Sequence, residues 1–324
     1  MAKIIITSDW HIKEGIYVDI CLSYVDYLIE YATENDIKDI IIAGDIFDKS
    51  SKIKNEAFVP LFFKFMEMKD LGFNLVFIIG NHDTYNLDND SLVETFRPFG
   101  KVVKELEVIT IGGREISLLP YTKDEREVPE TGDVLITHLS IADFTFDNNY
   151  HVNEKLGLPT SVFKDWNLVF SGHFHRPQNK KNICFIGSPY QLNFGECGQQ
   201  KGFVVFDTES DKWEREYYDE APTYLKIKAK DFVDADVSNS FVQVEIEDKL
   251  DNYVKLKHLL YDKGAINVAP AFKDVTTNVD INDDDIVFNS GIKEMMSEYI
   301  MNNVSEEKID NKKLMNLFER VLEV

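Results

Sequence analysis

Five short apolar runs in the chain each end in an acid, an imidazole or an amide. They are KIIITSD (3–9), DIIIAGD (39–45), NLVFIIGNHD (74–83), DVLITH (133–138) and NLVFSGHFH (167–175). Near-continuous Ile, Val, Leu and Phe over so few residues fits strands buried on both faces. Between the first three lie helix-like stretches. Residues 17–36 place Ile20, Tyr24, Tyr27, Leu28 and Tyr31 at helical spacing, and residues 55–72 close on Gly72, which is placed to cap a helix. Strand and helix in alternation predict an α/β layer. Four later β-like runs, at 114–121, 182–188, 201–207 and 212–218, are read as a second sheet. The expected fold class is therefore an α/β (αββα) two-sheet sandwich.

In open α/β sheets, ligands gather at the carboxyl ends of the strands. Here those ends carry Asp9 and His11, Asp45, then Asn81, His82 and Asp83, then His138, then His173 and His175. Five of the 7 histidines occupy such positions. A single Asp-x-His or Gly-Asp is a common turn, and a single histidine is commonly a satisfied core residue. Recurrence at five strand ends is what gives these residues weight as one cluster. Aspartate, amide and imidazole without thiolates suit Mn²⁺, Fe²⁺ or Zn²⁺ better than Ca²⁺ or a structural zinc site. The ligands suffice for two ions with an aspartate shared between them. Such a pair acidifies a shared water and neutralises phosphate oxygens, the chemistry of attack on a phosphoester.

The chain of 324 residues allows a main domain and a smaller one. Composition changes near Asp219–Pro222, and an acidic break, DINDDD, lies at 280–285. The expected domains are 1–219, an α+β capping domain at 222–282, and a helical tail at 286–324. In the tail, Ile292, Met295, Met296, Tyr299 and Ile300 share one face, and Leu314, Leu317, Phe318, Val321 and Leu322 share another. Three unpatterned cysteines, no signal peptide and no apolar span of bilayer length point to the cytoplasm and away from membranes. The net charge of −22 argues against tight nucleic-acid binding by the bare surface, since phosphate contacts rest on Lys and Arg. Arg176, Lys180 and Lys181 follow the last histidine motif, and the polar loop 140–160 is placed to line a substrate channel. His151 and His258 read as surface residues, and Phe58, Phe62, Phe63 and Phe65 as core.

At Asp9-Trp-His11, Gly44-Asp45, Gly80-Asn-His-Asp83, His138 and Gly172-His-Phe-His175 the sequence resembles the calcineurin-like metallophosphoesterase superfamily. Within it, AGDIFDKS, SGHFHRPQ and GSPYQLNFGE (187–196) are similar to the SbcD-type nuclease subunit, the bacterial Mre-eleven homologue, and to its phage recombination relatives. The resemblance implies two divalent ions, Mn²⁺ before Mg²⁺, Fe²⁺ or Zn²⁺. It assigns Asp9, His11, Asp45 and His175 to one, and Asp45, Asn81, His138 and His173 to the other. It makes His82 a catalytic residue beside the scissile phosphate, oriented by Asp83. It also implies exonuclease and endonuclease activity on DNA in recombination and repair, a homodimer, and an SbcC-type, SMC-like coiled-coil ATPase partner docked on the C-terminal helices. The chain departs from the family at Asp48, where many members carry histidine, and at Thr137, where a smaller residue is usual. Two other functions suit the same fold: a phosphodiesterase for small-molecule or protein substrates, and a non-catalytic scaffold, whose mark would be missing ligands.

Overall fold

A computed structural model describes residues 2–49, 53–84, 90–146, 151–246 and 250–272. In chain order the elements of the larger part are β1 (Lys3–Thr7), α1 (Ile16–Glu34), β2 (Asp39–Ala43), α2 (Asn55–Asp70), β3 (Asn74–Ile78), β4 (Gly100–Val103), β5 (Glu107–Ile111) and β6 (Arg114–Leu119). There follow β7 (Gly132–His138), β8 (Trp166–Gly172), β9 (Gln178–Lys180), β10 (Ile183–Phe185), β11 (Gly202–Asp207) and β12 (Trp213–Tyr217). They form two six-stranded sheets, in the orders β12-β11-β1-β2-β3-β4 and β5-β6-β7-β8-β10-β9. Strands β1 to β4 run parallel, as do β6, β7, β8 and β10, with antiparallel strands at the margins.

Alternation along each strand explains the layers. Ile4, Ile6, Ile41, Ala43, Val76 and Ile78 face inward, against Ile116, Leu118, Val134, Ile136 and Phe170 of the other sheet. Ile5, Ile40, Ile42, Leu75 and Phe77 face the opposite way, onto α1 and α2. Those helices bury Tyr24, Val25 and Leu28, and Leu61, Phe65 and Met68. Each such side chain contributes about 2 kcal/mol through removal from water. Gly72, at φ 82°, ends the second helix as expected, in a conformation that residues with a side chain rarely adopt. A third apolar layer, with Leu139, Ile141, Phe163, Phe174 and Phe185, covers the outer face of the second sheet.

One sequence expectation is corrected here. β11 and β12 belong to the first sheet, where β11 pairs antiparallel with β1, rather than to the second. Both faces of β11 are apolar and buried, so its pattern suits either sheet. Of the four aromatic residues of α2 expected in the core, Phe65 is fully buried and Phe63 is 54% exposed.

From Thr223 a separate three-stranded parallel sheet, β13 (Thr223–Lys228), β14 (Ser240–Ile246) and β15 (Ala265–Phe272), carries α3 (Leu250–Asp262). Val242, Val244, Leu256, Leu260 and Val268 give it its own core. It meets the larger part where Phe241 stacks on Tyr17 at 5.6 Å. The remainder of the expected capping domain and the whole tail at 286–324 lie outside the described residues. Among the described residues no helix is long and apolar enough to cross a membrane.

Candidate metal centre

The parallel strands β1, β2 and β3 of one sheet and β7 and β8 of the other deliver their carboxyl ends to one place. Asp9 and His11 follow β1, Asp45 follows β2, and residues 80–83 follow β3. His138 ends β7, and His173 and His175 follow β8. The backbone there is unusual. Asp9, His11, Asp45 and His173 have φ of 57°, 42°, 53° and 86°, in the left-handed region. Residues other than glycine pay about 1–3 kcal/mol for such conformations, so the surroundings must enforce them. Asp9 N–H donates to the Gly44 carbonyl and His11 N–H to that of Asp45, both at 3.0 Å. His173 N–H donates to the Asp9 carboxylate at 3.1 Å. At Gly44, itself at φ 89°, any Cβ would overlap the His138 ring.

Two clusters result. Asp9, His11 and His175 each offer one ligand atom, all within 4.8 Å of one another, and so do Asp45, His138 and His173. His175 Nε2 is 3.0 Å from His11 Nε2. His11 Nε2 is 3.6 Å from Asp45, which lies between the clusters, and His138 Nε2 is 3.1 Å from the same carboxylate. Asn81 Oδ1 lies 2.9 Å from His173 Nδ1 and 3.2 Å from His138 Nε2. Ring nitrogens not facing the clusters are held from behind: His138 Nδ1 donates to the Ala43 carbonyl at 2.8 Å.

The donor set fits divalent cations. Asp9, Asp45 and His138 are fully or almost fully buried. Burial raises the Asp9 pKa, against the pull of the neighbouring histidines. Burial opposes ionisation of Asp45 as well, but His138 beside it holds that carboxyl well below the usual range. Burial alone would lower His138, yet the Asp45 charge lifts it to about 9. Burial pushes His173 down to about 3 and His11 well below the ordinary imidazole value. Neutral imidazole is the ligand form, which His11 and His173 favour as they stand, whereas His138 would give up its proton to a cation held beside Asp45.

The sequence profile of the calcineurin-like phosphoesterases matches residues 2–177, which span all these residues. The chain belongs to that family. Exonuclease subunit 1 of Enterobacteria phage T4 is 26% identical over 331 residues, covering 92% of this chain and 92% of its own. The SbcD subunit of the nuclease SbcCD from Escherichia coli (strain K12) is 22% identical over 256 residues, covering 61% of this chain and 63% of its own.

His82 and Asp83, adjacent in sequence, take separate partners. The Asp83 carboxylate faces backbone amides rather than the His82 ring. That carboxylate is buried and accepts N–H bonds from Asp45 (2.8 Å), Ile46 (3.0 Å), Phe47 (3.2 Å) and Gly80 (3.0 Å). Burial and the nearby Asp45 charge push its pKa up to about 7. Asp83 therefore ties the loop after β2 to the loop after β3. His82 is exposed, and its Nδ1 lies 2.7 Å from the Asp48 carbonyl. A carbonyl only accepts, so Nδ1 carries the proton, and the His82 ring lies 4.8 Å from that of His11. The Asp48 carbonyl thus meets His82, while its carboxylate lies 3.5 Å from Lys13 and 3.9 Å from His11 Nδ1.

The residue the sequence reading missed is Glu196. It is fully buried, and Oε1 lies 3.1 Å from His175 Nδ1. Lys201 Nζ, itself 3% exposed, lies 2.8 Å from Oε2. Leu192 N–H at 3.0 Å and the Asn193 amide at 3.0 Å also donate. Burial opposes its charge, but the His175 bond and Lys201 hold its pKa at about 2. A carboxylate behind a ligand histidine fixes its tautomer and raises its basicity. The signal was present in the stretch 187–196, which ends on this glutamate.

Proposed function

We propose that this phosphoesterase is a Mn²⁺-dependent DNA nuclease that processes DNA ends in the cytoplasm with a coiled-coil ATPase subunit. The observation that carries this reading is similarity along 92% of both chains to a protein named as an exonuclease subunit. Asp9, His11, Asp45 and His175 would hold one ion, and Asp45, Asn81, His138 and His173 the other. Bound there, two divalent cations would supply Lewis acidity, neutralising phosphate charge and lowering the pKa of water. His82, exposed at the edge of the clusters, would contact the phosphate or protonate the leaving oxygen. Asp83 would hold the two loops in register.

Both relatives are named as subunits, which supports a partner protein. Docking of that partner is assigned to residues 286–324. The outer face of α2 supports a homodimer, since Val59, Phe63 and Met66, one and two turns apart, are 43%, 54% and 39% exposed.

The test is cleavage of linear duplex DNA with Mn²⁺ by the wild type and by His82→Ser, with metal content measured for both. The variant is expected to keep two ions and lose roughly 10²–10⁴-fold in kcat. Loss of an ion would instead make His82 a ligand, an arrangement open to it because His11, Asp45 and His82 also lie within 4.8 Å of one another. Equal cleavage by both proteins would refute the role.

A further inference from the structure

A cavity of about 270 Å³ shares one residue, Tyr121, with the surroundings of the second cluster. Tyr121 forms one wall, with its ring 5.6 Å from the His173 ring and tilted 36° to it, and 6.3 Å from His138. Leu156 lines the cavity too and is 53% exposed, so its side chain is open to a ligand. Its loop is not free to drift. The Ser140 hydroxyl donates to the Leu156 carbonyl at 2.8 Å, and Leu158 N–H donates to the Ser140 carbonyl at 2.8 Å. Ser140 lies two residues beyond the ligand His138, so the cavity is fixed relative to the centre.

The charges at this cavity balance: Lys123 and Lys155 against Glu125 and Glu154. A site for a second phosphate would carry excess positive charge. An aromatic ring and an exposed leucine in a neutral setting suit a flat, uncharged group instead, with polar edges for the lysines and glutamates to meet.

We infer that this cavity takes the base and sugar of the nucleotide whose phosphate lies at the metal centre, with Tyr121 and Leu156 as its apolar contacts. The inference rests on the nuclease reading and names the part of the substrate that it leaves open. Tyr121 then does two things. It flanks His173, and it gives a base a face to lie against. Because every base has such a face, the cavity would accept all four with little sequence preference.

The experiment compares diesters with one leaving group: thymidine 5′- and 3′-(p-nitrophenyl phosphate) against methyl p-nitrophenyl phosphate, with Mn²⁺. The wild type is expected to prefer at least one thymidine ester by about tenfold in kcat/KM. Tyr121→Ala and Leu156→Ala should each bring that ratio toward one, while Tyr121→Phe should keep it. Taking the ratio cancels any disturbance of the metals through His173, and Leu156 is too exposed for its truncation to empty the core. The inference is overturned if the wild type shows no preference, or if the preference survives both alanine variants. The nuclease reading fails separately, if the wild type hydrolyses these diesters but leaves linear DNA intact; the cavity still stands or falls on the ratio.

Discussion

The two candidate metal clusters anchor their histidines by opposite means. In the first, His175 leans on a buried carboxylate, Glu196, at 3.1 Å, and that carboxylate is held by Lys201. In the second, His138 leans on a neutral backbone carbonyl, that of Ala43, at 2.8 Å. His138 is fully buried, whereas the His175 side chain is 23% exposed. The first imidazole is thus made a better donor by charge, in a place that water reaches. The second is held by its strand and by burial, with no charge behind it. Between them, Asp45 lies 3.6 Å from His11 and 3.1 Å from His138. The first cluster's affinity should depend on one distant side chain, and the second's on how tightly the strand ends pack.

The largest effect should come from removing what the clusters share. Asp45→Asn keeps the shape but takes away the charge that both would use. Hydrolysis should fall by roughly 10³-fold or more. Calorimetric titration with Mn²⁺ should show both binding events weakened. If only one weakens, Asp45 does not bridge, and the clusters are more independent than their geometry suggests.

A narrower change separates them. Glu196→Gln should weaken only the first event, by about 10–100-fold, the usual cost of losing a partner behind a ligand. It also leaves Lys201 buried without its counter-charge, which costs about 3–5 kcal/mol and lowers the melting temperature. The double variant Glu196→Gln with Lys201→Met distinguishes the two consequences. It should regain melting temperature but not the lost affinity. If affinity returns as well, Glu196 matters to the fold and not to His175.

These residues differ in how far the sequence exposes them. Each ligand stands at the end of an apolar run, and a run buried on both faces makes a following Asp or His conspicuous. Helices α1 and α2 were legible for a similar reason, since Tyr24, Leu28 and Leu61, Phe65 recur every turn. Glu196 announces nothing by itself. It acquires meaning from Lys201, five residues on, and from His175, twenty-one residues back, and only folding brings these together. The separate partners of His82 and Asp83 were not legible either. Successive side chains leave the backbone in different directions, and here one meets the Asp48 carbonyl and the other the loop amides. The sheet holding β11 was hidden too, because strand order is a long-range choice that an all-apolar strand does not record.

The smallest effect should come from crowding the second cluster's anchor. The anchor is a backbone carbonyl and cannot be deleted by substitution, but it can be wedged. A Cβ on Gly172 would lie 2.5 Å from the Ala43 carbonyl oxygen and 2.7 Å from His138 Nδ1, the two ends of that hydrogen bond. Gly172→Ala must therefore stretch the bond or shift the ring. Overpacking of this kind costs about 1–3 kcal/mol. Part of it would appear as a loss of roughly tenfold in the second Mn²⁺ binding event, with the first unchanged. The result complements Glu196→Gln: each variant should spare the event that the other damages. If Gly172→Ala weakens both events equally, the strand ends move as one body, and the difference in anchoring does not make the clusters separable.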